Sequence, residues 1–440
     1  MHPSRAIRAR RSRLLEGRRI VLGVTGSIAA VEAPRIAREL IRHGADVRAV
    51  MTRDASRLIT PDALRFATGH PPVTELTGDV EHVALLGPGP ERADLLLIAP
   101  ATANSISKIA HGIDDTPVAS FATIALGGGV PVLLAPAMHA QMEQNPAIRE
   151  NLARLRQFGV EILGPREEEG EAKLPTPEAI AAAVLHRLAR SPLVGRRVLV
   201  IGGASREPID SVRSVTNEST GRTAVALAEA AFFRGADVVF WSGALQVPVP
   251  EYLPTVPWGR VEELRALVRS RASELAAVDL VLVPAALSDF TLVARPGKIS
   301  SREHPELSIT LTRAPKILPE LRRRVPRTAL LVGFKLEAGG SASELARAAE
   351  ELLREGGLDV VVANDRSTLG SPNAAALVLS RDGPRHWLEG PKADVAGKLL
   401  DDLGRALAAR ITAPRPPDGA GGTRHRTRSR RPPRSRPRSR

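Results

Sequence analysis

A chain of 440 residues is longer than a single core usually organises, which predicts at least two domains. Its formal net charge of +14 sits at the ends: residues 1–19 hold seven Arg against one Glu and residues 413–440 ten Arg against one Asp, leaving the body near −1. There is no cysteine, which excludes disulfides, thiolate metal sites and cysteine nucleophiles, and the ten histidines show no metal-ligand spacing.

A basic extension, residues 1–17, precedes the first strand, predicted over 20–24. It leads into no signal-peptide core, and no apolar run reaches the roughly 18 residues of a membrane span, so a cytoplasmic protein without membrane contact is expected. The turn Gly23-Val24-Thr25-Gly26-Ser27 opens a helix over about 28–42, which His43-Gly44 stops before a strand at 46–51. That turn is not GxGxxG; it reads either as backbone N–H groups and a hydroxyl suited to one phosphate or as a plain glycine turn. A helix at 61–67 and the segment Glu81-His82-Val83 follow, then buried strands at 94–100 and 130–136, a helix at 146–157 and a strand at 160–163. Continuous apolar runs alternating with helical patterns predict an α/β domain, its parallel sheet covered on both faces.

Ser191-Pro192-Leu193-Val194-Gly195 reads as a joint, dividing a domain at 18–190 from one at 191–412. The second begins as the first did, with a basic doublet, the run Val198-Leu199-Val200-Ile201 and a glycine turn. Two doubly wound, Rossmann-like parallel-sheet domains are therefore expected. The loop Thr216-Asn217-Glu218-Ser219-Thr220-Gly221-Arg222 enters a helix at about 222–234 and reads as a substrate loop or a helix cap. Strands at 278–284, 329–333 and 358–362 end in Ser288-Asp289-Phe290, Phe334-Lys335-Leu336-Glu337 and Ala363-Asn364-Asp365. The Arg, Ser and Pro tail, 424–440, is expected to be disordered, either solvated or in contact with RNA or an acidic surface.

The motifs Gly23-Val24-Thr25-Gly26-Ser27-Ile28-Ala29, Pro100-Ala101-Thr102-Ala103-Asn104-Ser105 and Ala135-Pro136-Ala137-Met138 resemble the FMN-dependent cysteine decarboxylase family. More narrowly, residues 18–182 look like the decarboxylase domain of the bifunctional phosphopantothenoylcysteine decarboxylase and phosphopantothenate–cysteine ligase family of coenzyme A synthesis. The resemblance implies FMN held by Gly26, Ser27, Ile28, Thr52, Thr102, Ala103, Asn104, Ser105 and Met138, with His82 as the active-site histidine. Taken alone, His82 reads as an ordinary loop histidine. Two departures follow the archaeal variant of that family: Met138-His139 replaces Met-Asn, and the substrate flap, Glu168-Glu169-Gly170-Glu171-Ala172-Lys173-Leu174-Pro175, lacks the bacterial cysteine. The proton donor is then His139, with Lys173 second and a structural role for His139 also open.

In the second half, Ser205-Arg206-Glu207-Pro208-Ile209-Asp210, Val215-Thr216-Asn217, Ala285-Ala286-Leu287-Ser288-Asp289-Phe290, Gly297-Lys298-Ile299 and Ala363-Asn364-Asp365 resemble that family's ligase domain. The resemblance implies CTP as co-substrate with Mg2+. It assigns Asn217 and Lys298 to catalysis, Ala286, Asp289, Lys298, Phe334 and Asn364 to the nucleotide, and Asp289 to the metal. Lysines are lost at Lys298-Ile299-Ser300-Ser301 and Arg313-Ala314-Pro315-Lys316, leaving CTP against ATP open. The substrates implied are 4'-phosphopantothenate and cysteine. The family's trimeric flavin domains and dimeric ligase domains imply a homo-oligomer, a dodecamer. Two rival readings remain: a ligase beside a silent FMN-binding domain, and a flavin-fold scaffold with RNA-binding tails.

Overall fold

The computed structural model describes residues 2–168, 171–303, 306–337, 339, 341–381 and 383–412. The tail from 413, with the disorder and nucleic-acid contact expected of it, lies outside the described residues.

The first sheet has five parallel strands: β1 (Arg19–Val24), β2 (Asp46–Met51), β3 (Leu95–Ala101), β4 (Val132–Pro136) and β5 (Glu161–Ile162), in the order 2-1-3-4-5. Alternation decides which core each side chain joins. Ile20, Leu22, Leu95 and Leu97 pack under the helices Ala33–Arg42 and Pro177–Arg187, whereas Val21, Leu96 and Ile98 pack under Pro117–Gly127 and Pro146–Gln157. Several helices start on the same local device, a hydroxyl or amide cap followed by proline at the first helical position: Thr116-Pro117, Asn145-Pro146 and Thr176-Pro177. The single helix expected over 28–42 is instead a 3-10 turn, Ile28–Glu32, followed by Ala33–Arg42. Pro34 has no N–H to donate to the preceding turn, so one α-helix cannot run through it. A short hairpin, β6 (Arg166–Glu168) and β7 (Glu171–Lys173), precedes the last helix of the domain.

The second domain adds β8 (Arg197–Gly202), a small ladder of β9 (Arg206–Pro208) and β10 (Ser214–Thr216), then β11 (Asp237–Ser242), β12 (Thr255–Pro257) and β13 (Leu280–Val283). A two-residue ladder, β14 (Phe290–Thr291) with β15 (Thr312–Arg313), precedes β16 (Leu330–Glu337), β17 (Val360–Asp365), β18 (Asn373–Ser380) and β19 (His386–Pro391). The main sheet runs 12-11-8-13-16-17-18-19. It is mixed rather than wholly parallel, because β18 and β19 are antiparallel and join as a hairpin. The helix Lys392–Thr412 then packs beside Arg222–Phe232, tied by a two-pronged Arg234–Asp401 pair at 2.7 and 3.0 Å.

Aromatic contacts join the domains. His186 stacks on Phe232 with ring centroids 4.5 Å apart, His43 meets Phe233 edge-on, and Tyr252 lies against both phenylalanines. Tyr252 Oη donates to Glu229 at 2.7 Å, and Thr176 Oγ1 donates to Glu251 at 3.2 Å.

Candidate active sites

In a sheet of order 2-1-3-4-5 the direction of winding reverses between β1 and β3, and the loops leaving their carboxyl ends part to form a crevice. Thr25, fully buried just after β1, fixes that crevice: its Oγ1 donates to Pro100 O at 2.8 Å and accepts from Thr102 N at 2.9 Å. The next residue must be glycine, since a Cβ at Gly26 would lie 2.5 Å from Asp54 Cβ. Ser27 then caps the 3-10 turn, accepting from Ala29 N.

The crevice holds about 920 Å3. It brings together Gly26, Ser27 and Ile28 from the first loop, Thr102 and Ala103 from the second, Met138 and His139 from the third, and Lys173 from the hairpin. That volume, a glycine-dependent turn and the N–H groups above a helical turn fit a flavin nucleotide. Four residues expected there do not line it. Thr52 is buried as the cap of helix Arg53–Leu58, Ser105 is buried against Thr102, and Asn104 points outward from the first turn of Ala103–His111. His82 stands apart on helix Glu81–Leu86, its ring 6.4 Å from Phe121 and its Nδ1 buried without a hydrogen-bond partner.

The second domain repeats the design between β8 and β13. Ser205, fully buried, accepts from Ser288 N at 2.9 Å, and Ala286 N donates to Gly203 O at 2.9 Å. Gly203 has φ +87° and would drive a Cβ to 2.7 Å from the Gly243 backbone. A pocket of about 160 Å3 opens here, lined by the loop at 218–223 with Ala286, Phe334 and Asn364. Arg222 and Lys392 supply its cations, and burial, then the nearby Arg222, hold the Lys392 ammonium below its ordinary value. Neither cation stood out in the sequence, because Lys392 arrives from the start of the last helix, 170 residues beyond Arg222.

Asn217 stands beside this pocket, donating through Nδ2 to Leu287 O at 2.9 Å. Asp289 and Lys298 are exposed and do not line it; Asp289 pairs with Lys316 at 2.7 Å. The Lys298 loop is nonetheless held firmly. Asp210 accepts from Val212 N, Arg213 N and Ile299 N at 2.8, 2.7 and 3.1 Å, and Arg213 Nη2 donates to Ile299 O at 2.5 Å. The Val212 N–H, followed by those of Arg213 and Ile299 and the Arg213 charge, outweighs burial and lowers the Asp210 carboxyl to about 2. The sequence shows Asp210 only as part of a motif, since Ile299, the partner that ties it to the Lys298 loop, lies 89 residues away.

Among the described residues no group of three His, Asp or Glu side chains could hold a metal ion, and no helix is long and apolar enough to cross a membrane. Asp289 fits Mg2+ only as one oxygen ligand beside others brought by a nucleotide and water.

A crevice at each of two switch points, the first shaped for a flavin nucleotide, defines a two-site α/β enzyme. Residues 8–189 match the family model described as Flavoprotein, and 193–406 that of the DNA/pantothenate metabolism flavoprotein C-terminal domain. The coenzyme A biosynthesis bifunctional protein CoaBC of Thermococcus kodakarensis is 42% identical over 409 residues, spanning 92% of this chain and 100% of its own. That of Escherichia coli K12 is 32% identical over 406 residues, 88% of this chain and 97% of its own. A crystal structure of the FMN-dependent cysteine decarboxylase SpaF is 37% identical, covering 40% of this chain and 99% of its own, with a TM-score of 0.35. The chain belongs to the CoaBC family of bifunctional coenzyme A biosynthesis proteins. It is a phosphopantothenoylcysteine decarboxylase joined to a phosphopantothenate–cysteine ligase.

Proposed function

We propose that the second domain activates 4'-phosphopantothenate with CTP and couples it to cysteine, and that the first decarboxylates the product to 4'-phosphopantetheine with FMN. The observation that carries this reading is the first crevice, which gathers a phosphate-type turn, Met138, His139 and Lys173 around one space. FMN, when bound, supplies reversible two-electron redox chemistry. Gly26, Ser27 and Ile28 hold its phosphate, Thr102, Ala103 and Met138 flank it, and Thr52, Asn104 and Ser105 shape the loops that do so. His139, exposed at the rim, delivers the proton that a flap cysteine would otherwise carry, with Lys173 as its alternate. His82 serves the crevice of a neighbouring copy in a trimer of flavin domains; the exposed Val80 and Val83 beside it support a face completed by another subunit. Paired ligase domains would complete a dodecamer.

In the second domain the substrate carboxylate attacks the α-phosphorus of CTP, pyrophosphate leaves, and the cysteine amine displaces CMP from the acyl carbon. Asn217 holds the acyl-cytidylate, Lys298 offsets charge developing at phosphorus, and Asp289 would offer one carboxylate oxygen to Mg2+, which would neutralise the triphosphate. Ala286, Phe334 and Asn364 form the nucleotide's wall. The domains divide at 190 and 191, and the enzyme works in the cytoplasm.

The test is to mix the purified protein with 4'-phosphopantothenate, cysteine, CTP and Mg2+, follow products by mass and record its visible spectrum. A flavin-coloured protein that makes 4'-phosphopantetheine meets the proposal. Arrest at 4'-phosphopantothenoylcysteine leaves a ligase beside a silent flavin domain, and ATP replacing CTP without loss removes the cytidine assignment.

A further inference from the structure

The flavin crevice does not end at its own walls. A second cavity of about 400 Å3 shares Arg35, Pro177 and Glu178 with it and runs down the flank of helix Ala33–Arg42. Arg35, Arg38 and Arg42 recur at three- and four-residue spacing and so lie along one side of that helix, where Arg11 of the N-terminal extension joins them. Arg42 lies about 10 Å along the axis from Arg35, and Arg38 about 4.5 Å.

These cations are not equally engaged. Glu39, almost wholly buried, takes Arg42 at 2.9 Å and pairs with Arg11 as well. Arg35 has a pair with Glu32 that is largely exposed, the kind of contact that exchanges at little cost. Arg38 is different: its Nη1 is buried without a hydrogen-bond partner, and its guanidinium carbon lies 6.0 Å from the centre of the Phe66 ring. Arg38 is half-buried, makes no hydrogen bond through Nη1 and lines a cavity adjacent to the active crevice, so an anion extending from that crevice would meet its guanidinium edge beside Arg35.

The decarboxylase substrate has such an anion. Its reacting cysteine carboxylate must lie at the flavin, and a phosphomonoester sits at the other end of a pantoyl and β-alanyl chain about as long as three extended residues, roughly 10 Å. We propose that the arginine-lined cavity is the subsite for this phosphomonoester, with Arg38 its fork-shaped partner and Arg35 at its mouth. The inference rests on the decarboxylase reading of the crevice. It gives the domain a means of preferring the phosphorylated substrate over its dephosphorylated form.

The test titrates the flavin-loaded full-length protein with two dead-end ligands, 4'-phosphopantothenoylserine and pantothenoylserine, in which a hydroxyl replaces the thiol. Flavin absorbance reports only ligands beside the flavin, so binding at the ligase domain does not contribute. The wild type is expected to favour the phosphorylated ligand ten- to hundredfold, and Arg38→Gln to cut that ratio about tenfold. Arg35→Gln, at an exposed position that tolerates change, lowers it less and serves as the readout if Arg38→Gln does not fold. Equal affinities in the wild type, or an unchanged ratio in the variants, overturn the subsite. So does loss of flavin from Arg38→Gln, which would give the cavity to the cofactor's own phosphate. If the preference exists and collapses in the variants while 4'-phosphopantothenoylcysteine loses no CO2, the subsite stands and the decarboxylase reading alone fails.

Discussion

Thr102 N donates to Thr25 Oγ1 at 2.9 Å, and through this bond the loop after β3 is fastened to the loop after β1 across the switch point. The same hydroxyl donates to Pro100 O, which also takes the Thr25 N–H at 3.2 Å, so the buried side chain is above all the acceptor on which the Thr102 N–H depends. Thr25→Val keeps the shape and removes both bonds. The Thr102 N–H left without its acceptor, while Pro100 O keeps the Thr25 N–H, predicts a loss of about 1–3 kcal/mol in urea unfolding and a protein that sheds its flavin during gel filtration. Thr25→Ser should retain most of both. A valine variant as stable and as flavin-rich as the wild type would show that the bond does not fix the crevice.

Much of this arrangement is legible in the sequence because its parts are local. The run Ile20-Val21-Leu22 and its glycine turn announce a buried parallel strand, and Thr102 announces a helix by capping it. The two switch points could be anticipated from the repeated strand, turn and helix, and the loops that line each crevice fall at predicted strand ends. What the sequence hides is distance. Ser205 and Ser288 are 83 residues apart, yet they form the second domain's counterpart of the Thr25 and Thr102 bond. The hairpin β18 and β19 was missed for another reason: Asn373-Ala374-Ala375-Ala376 has no alternation of polar and apolar residues, so only its pairing with β17 and β19 makes it a strand. His82 and Asn104 show a third limit, since motif membership says nothing about whether one chain by itself brings a side chain to the crevice.

The Asp210 carboxylate joins the loop at 210–213 to the loop carrying Lys298, and its pKa near 2 gives the joint a defined acid limit. A carboxyl lowered on folding contributes stability that is complete above its unfolded value, 3.8, and is lost as pH falls through the folded value of about 2. Unfolding of the second domain should therefore ease between about pH 4 and pH 2, and Asp210→Asn should flatten that dependence. At neutral pH the same variant loosens the Lys298 loop, so cysteine coupling slows while decarboxylation of supplied 4'-phosphopantothenoylcysteine continues. Retention of the full acid dependence in Asp210→Asn would assign it to other carboxylates, such as Glu320, which Arg269 and Arg265 also hold near 2.

At the joint between the domains, Tyr252 Oη gives its hydrogen bond to Glu229, whose carboxyl burial pushes above its ordinary value. A raised carboxyl favours folding most fully below its unfolded value, 4.5, and that contribution is lost as pH rises through the folded one. The interface should thus loosen from mildly acidic to neutral pH. Tyr252→Phe removes the donor that favours the ionised form, which makes the loosening steeper and costs about 1–3 kcal/mol at neutral pH. Calorimetric scans from pH 4.5 to 8 will show it as earlier melting that grows with pH. Parallel curves for the two proteins would dissociate Tyr252 from the titration.

Lys316 and Asp289 form a pair of the opposite kind, 58% and 71% exposed, whose loss should change global stability by less than about 0.5 kcal/mol. Two oppositely charged side chains held at 2.7 Å in such an open position make sense if one releases the other when a nucleotide arrives. The triphosphate would take Lys316, freeing Asp289 for the accompanying cation. Lys316→Gln then weakens CTP binding, and its effect on cysteine coupling appears mainly as a raised KM for CTP, about tenfold for one charge-assisted contact. Because Asp289 starts unpaired in this variant, its half-saturating Mg2+ should fall relative to the wild type at saturating CTP. A raised KM with unchanged Mg2+ dependence would keep Lys316 at the nucleotide but separate Asp289 from the metal; no change in either would make the pair a surface contact alone.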